Sequence, residues 1–83
     1  MTLPSQPVTL SIPEIDELNR RLSTMRHDIN NHLSLMMAAL ELVRRKPEAV
    51  ERMAGTLSEQ PGKITEAMTK FSLDFEKSFG IKR

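Results

Sequence analysis

Eighty-three residues with a formal net charge of +1 leave room for one small domain, which on its own would bury only a limited share of its surface. The chain has no cysteine, which excludes disulfide staples and thiolate metal sites, and its three aromatics, Phe71, Phe75 and Phe79, all lie near the C-terminus. Near-neutral charge without a clustered basic face gives no case for a nucleic-acid partner, and the longest apolar run, Leu35 to Leu40, is far too short to span or insert into a membrane.

Residues 1–11 read as a flexible N-terminal arm, because Pro4 and Pro7 stand among small polar residues. The arm lacks the basic stretch and long apolar core of a signal peptide, so the expectation is a soluble, cytoplasmic protein. Ser11-Ile12-Pro13-Glu14 fits a capping box, in which the Ser11 hydroxyl accepts from the Glu14 backbone N–H and the Glu14 side chain reaches back. Pro13 falls in the first turn, where its missing N–H costs nothing. A helix is expected to begin here.

From Ile15 the apolar residues recur at alternating spacings of three and four, through Leu18, Leu22, Met25, Ile29, His32, Met36, Ala39 and Val43. Up to Met25 this seam is narrow, as suits contact with one helix. Beyond Ile29 it widens through Leu33, Leu35, Leu40 and Leu42, as suits a bundle interior. Arg44, Arg45 and Lys46 complement the dipole at the helix C-terminus, and Pro47 stops the helix. Pro47 also suits the first position of a second helix with Glu48 and Glu51 in its first turn. That helix carries Val50, Met53, Leu57, Ile64, Met68, Phe71, Phe75 and Phe79 and ends at Gly80. Pro61-Gly62 predicts a kink or a break, with a slip in heptad phase.

The fold expected is all-α: a long antiparallel helical hairpin (about 12–46 and 47–80), each helix about 45 Å long, with 81–83 as a C-terminal tail. One hairpin cannot cover the wide apolar band on both helices, so residues 12–80 are expected to homodimerise into a four-helix bundle.

Heptad phase also orients the central stretch Arg26 to Leu33. With Ile29 at position a, His27 falls at f, facing away from the seam, and Asn31 at c lies one turn on. Asp28 falls at g on the flank, and His32 at d in the seam. A polar histidine on an outer helix face is ordinarily just solvated. An exposed imidazole with a carboxylate next door and a carboxamide at i+4 is, however, what phosphoryl transfer to nitrogen needs. One ring nitrogen must be unprotonated and reachable in line, and the other must carry its proton toward an acceptor, here Asp28. Free imidazole, with a pKa of about 6.5, is mostly neutral at pH 7. Asn31 stands where it can orient a water or a phosphoryl oxygen. A metal reading through His27 and His32 fails, because an i, i+5 pair diverges by about 140° where a helical metal pair needs i, i+4.

His27-Asp28-Ile29-Asn30-Asn31-His32-Leu33 resembles the H-box of sensor histidine kinases: His, Glu or Asp, two variable residues, Asn or Thr, often Pro, then Leu. The resemblance implies a dimerisation and histidine-phosphotransfer domain acting in a two-component phosphorelay. His27 would be the phosphoacceptor, Asp28 the acidic residue that assists it, and Asn31 the residue used in dephosphorylating a response regulator. It implies a homodimer whose partners are a response-regulator receiver domain and a separate ATP-binding kinase domain. No cofactor belongs to this chain, since ATP and Mg would be held by that kinase domain, and the chain cannot autophosphorylate alone. Two departures stand out: His32 occupies the usual proline position, and no glycine-rich ATP-binding domain follows the bundle. A non-catalytic dimerisation or signal-transmission module is the alternative, as is a fragment of a longer sensor kinase. The Met1 start and the Gly80 cap set the expectation against a truncated chain.

Two further sets of residues are singled out. Ser34, Met37 and Ala38 lie outside the seam near His27, where an exposed apolar spot could receive the receiver domain. If the hairpin turns between Lys46 and Pro47, Gln60 and Pro61 come level with His32 and Leu33. His32 and Gln60 are then expected to form a structural polar layer that fixes register and reaches the Leu57 carbonyl freed by Pro61.

Overall fold

The computed structural model describes residues 2–81 and is all-helical, with helix α1 (Ile12–Arg45), a 3₁₀ turn (Pro47–Ala49) and helix α2 (Val50–Phe79). The two helices pack side by side as an antiparallel hairpin.

Helix α1 begins where local chemistry dictates. The Glu14 backbone N–H donates to Ser11 Oγ (3.2 Å), and the Ser11 N–H donates to Glu14 Oε1 (2.9 Å), completing the capping box. The Ser11 backbone N–H, and then its hydroxyl, hold the Glu14 carboxyl below its ordinary value. At the other end Arg44 and Arg45 both bind the Glu41 carboxylate at 2.8–3.0 Å and lower its pKa. Lys46 leaves helical geometry (φ −132°, ψ 85°), as a residue preceding proline does, while its N–H still donates to the Leu42 carbonyl (2.8 Å).

Pro47 does not open the second α-helix directly. It opens a single 3₁₀ turn, closed by the Ala49 N–H on the Lys46 carbonyl (2.8 Å), and α2 follows from Val50. The tighter turn folds the chain back over a small residue, Ala49, which is buried at 3% exposure.

Helix α2 runs unbroken through Pro61-Gly62, so the break that this dipeptide suggests does not occur. Proline removes one backbone hydrogen bond, and the flanking turns and the packing against α1 carry the helix across it. Thr65 Oγ1 donates back to the Pro61 carbonyl (3.0 Å). The end is a Schellman motif: Gly80 adopts φ +67°, its N–H donates to the Lys77 carbonyl (3.4 Å), and the Ile81 N–H donates to the Glu76 carbonyl (2.8 Å). Only a residue without a Cβ takes that φ without strain.

The hairpin is a slab of 58 × 25 × 12 Å, and its thickness is that of one helix. Its Cα radius of gyration is 18.1 Å, where a compact domain of this length would have about 12 Å. Among the described residues only Ala39, Ala49 and Gln60 are buried, and most seam residues are half-buried. Near the open end, Arg21 of α1 pairs with Asp74 of α2 at 2.9 Å.

The slab has two unlike edges. One is polar and is described below. On the opposite edge helical phase places Ile15, Leu33 and Leu40 of α1 beside Val50, Met68 and Phe75 of α2, each 39–55% exposed. The wide apolar band predicted for a bundle interior is therefore present and only half covered. Among the described residues no helix is long and apolar enough to cross a membrane.

Candidate functional site

The central stretch lies wholly within α1, so the backbone leaves each side chain a direction set by helical phase alone. His27 projects from the outer back of α1 and is exposed, well round the helix from the apolar edge. Asn31, one turn on, shares that face and is also exposed. Ser34 and Ala38 continue the same exposed column below His27, and Met37 stands further round at 70% exposure.

No hydrogen bond or ion pair joins Asp28 to His27, because consecutive side chains on a helix diverge by about 100°. Asp28 lies on the flank of the seam, as its heptad position sets it, half-buried in a groove between the helices. This groove, of about 290 Å³, is lined by Asp28 and His32 of α1 and by Lys63, Glu66, Ala67 and Lys70 of α2. Through Asp28, Ala67 and Lys70 it continues toward the open end of the hairpin, past Met25 and Phe71 to the Arg21–Asp74 pair.

His32 and Gln60, which register arithmetic sets level with each other, are in contact: Nδ1 lies 2.7 Å from Gln60 Oε1. A carbonyl oxygen can only accept, so the imidazole donates from Nδ1, and in the neutral ring Nε2 carries the lone pair. Gln60 is buried at 3% exposure, the single buried polar residue among those described. Neither the imidazole nor the Gln60 amide NH₂ donates to the Leu57 carbonyl, so the expected bond to that freed carbonyl is absent. His32 Nε2 has no partner, and no unpartnered side-chain nitrogen or oxygen is sealed from water among the described residues. Nε2 is therefore open to solvent.

Asp28 and His32 are themselves an i, i+4 pair on the groove side, a spacing that suits a metal better than His27 with His32 does. Among the described residues, however, no three His, Asp or Glu side chains are placed to hold an ion. Lys63 and Lys70, which make no ion pair, place two ammonium groups along the same groove.

The lysines and Glu66 did not emerge from the sequence as site residues. Their signal was present in the register that sets Gln60 beside His32, since one to three turns further along α2 lie Lys63, Glu66 and Lys70. No family model matches the chain, no curated protein matches it, and no solved structure matches it.

Proposed function

We propose that the chain is a dimeric histidine-phosphotransfer module of the two-component type, acting in the cytoplasm, with His27 as the phosphoacceptor. The observation that carries this reading is an exposed imidazole on the outer back of a long hairpin, with a carboxylate and a carboxamide within one turn. The neutral ring attacks phosphorus in line through one nitrogen, and the donor's P–O bond breaks with its electron pair leaving on oxygen. The proton on the other nitrogen is drawn by the field of the neighbouring Asp28 carboxylate, which is tied to no other group. In onward transfer a response-regulator aspartate oxygen attacks phosphorus, the P–N bond breaks with its electron pair returning to the His27 nitrogen, and the ring ends neutral with one N–H. Asn31, on the same face, orients the water that hydrolyses the regulator's acyl phosphate. Ser34, Met37 and Ala38 form the surface that a receiver domain meets first. ATP and Mg belong to a separate kinase domain.

Surface area supports the dimer. The chain exposes 6597 Å², whereas a compact monomer of its mass exposes about 5,000 Å². Part of the excess lies on the exposed N-terminal arm and part on the apolar edge. That edge faces away from His27, so pairing two hairpins through it leaves both imidazoles exposed.

One observation favours a second reading, a dimerisation module without chemistry: no side chain holds the His27 ring in a fixed tautomer. The two separate by incubating the protein with a phosphorylated receiver domain, and in parallel with an ATP-binding kinase domain and ATP. Acid-labile phosphate on the wild type that disappears in His27→Gln supports phosphotransfer. Failure of the wild type to take label in either mixture refutes it.

A further inference from the structure

We propose that the N-terminal arm of each chain seats on a phenylalanine ladder of the second copy, so that the two hairpins pair with their open ends together. The proposal rests on the dimer reading above and is independent of the chemistry assigned to His27.

The seat is built at the open end of α2. Phe71, Phe75 and Phe79 follow one another at i, i+4 and i+8, with successive ring centroids 6.2 and 4.6 Å apart. They are the only phenyl rings in the chain. Beside them a cavity of about 330 Å³ is lined by Phe71, Ser72, Phe75, Glu76 and Ile81, the last brought back to the helix by the Schellman turn. Phe75 is 39% exposed and belongs to the apolar edge, so the ladder continues the surface through which two hairpins pair.

The arm has the chemistry to fill that seat. From Thr2 to Pro13 no side chain carries a charge. Residues 2–9 are all exposed, Leu3 at 69% and Val8 at 41%, so the arm finds no seat on its own hairpin. Pro4 and Pro7 stand three apart, one turn of polyproline II, and the Ser11 backbone is already extended (φ −73°, ψ 163°). Extended proline segments dock in aromatic-lined grooves. In that form the two prolines lie about 9 Å apart, against a ladder about 12 Å long. Pro7 then stands about 12 Å from Ser11 and Pro4 about 22 Å, beyond the 8–10 Å or so that separates neighbouring helix axes.

The relative direction of the two hairpins follows. The start of α1 and the end of α2, and with them the arm and the ladder, share one end of the hairpin. A two-fold axis along the hairpin brings each arm to the other copy's ladder, and the contact is made twice. The opposed pairing would set each arm beside the Pro47–Ala49 turn, around which no phenyl ring lies.

Mixed dimers of ¹³C-labelled and unlabelled full-length chains, exchanged through urea, test the contact by isotope-filtered NOEs. Protons of Pro4, Pro7 and Val8 in one copy should give NOEs to phenyl protons of the other. NOEs confined to one chain, or absent from a dimer, overturn the exchange and leave the dimer reading standing. A chain that light scattering finds monomeric overturns both. The double variant Pro7→Ser, Val8→Ser alters only exposed arm residues, so the helices stay folded. Its dimer dissociation constant should rise at least about tenfold, as loss of one or two apolar contacts implies. An unchanged constant overturns the proposal.

Discussion

The His32–Gln60 contact gives the sharpest stability prediction, as a double-mutant cycle of His32→Leu, Gln60→Leu and the pair. Gln60 is 3% exposed and has its amide oxygen 2.7 Å from His32 Nδ1, so removing the imidazole strands an acceptor that water does not reach. A buried polar group left unpaired costs about 1–3 kcal/mol, and we place His32→Leu at about 2 kcal/mol within that range. Gln60→Leu strands a donor on a half-buried ring whose other nitrogen is already hydrated, and should cost about 1 kcal/mol. Replacing both leaves no unpaired group and adds apolar surface next to the seam, so the double variant should lie within about 0.5 kcal/mol of wild type or above it. The coupling is then about 3 kcal/mol. Urea unfolding followed by circular dichroism measures it, with chain concentration held constant because dimer stability depends on it. With a urea slope of about 1 kcal/mol per molar, the single variants should move the midpoint by about 1–2 M. Effects that simply add to within about 0.5 kcal/mol would refute the claim that these residues act as one layer.

Charge placed on the apolar edge should dissociate the proposed dimer. Leu33→Lys or Met68→Glu removes about 1 kcal/mol of burial per site and buries a charge besides. A two-fold interface doubles the effect, so light scattering across a dilution series should show association weakened at least a hundredfold; an unchanged dimer would place the interface elsewhere. Ser11→Ala should cost about 1 kcal/mol of stability by removing the α1 cap. Because Glu14 is held below 4.5 in the folded state, its contribution is present above that pH and is lost as pH falls through its folded value. Unfolding midpoints measured between pH 3 and 6 should therefore show a shallower acid limb in Ser11→Ala than in wild type. Arg21→Ala breaks the pair with Asp74 across the open end, but the Arg21 side chain is 47% exposed. The loss should be small and should vanish when salt is raised to about 1 M, where screening acts within 3 Å.

What the amino-acid sequence determined by itself is everything that depends on neighbours within a turn or two along the chain. The capping box at Ser11 and Glu14, the stop at Arg45, the Schellman glycine at Gly80 and the outward phase of His27 all follow from local hydrogen bonding and the 3.6-residue period. Tertiary structure decided what lies across the gap between helices. The 3₁₀ turn at Pro47–Ala49 sets how α2 rolls against α1, and small changes in its dihedrals rotate every side chain of α2. That roll puts Lys63, Glu66 and Lys70 beside Asp28, sets the Gln60 oxygen against His32, and leaves Val50, Met68 and Phe75 on the open edge. The H-box-like stretch is thereby divided: His27 and Asn31 face solvent by helical phase alone, while Asp28 and His32 acquire their surroundings from a helix about thirty residues further along the chain. Periodicity along one helix says which way a side chain points, and only packing between helices says what it meets there.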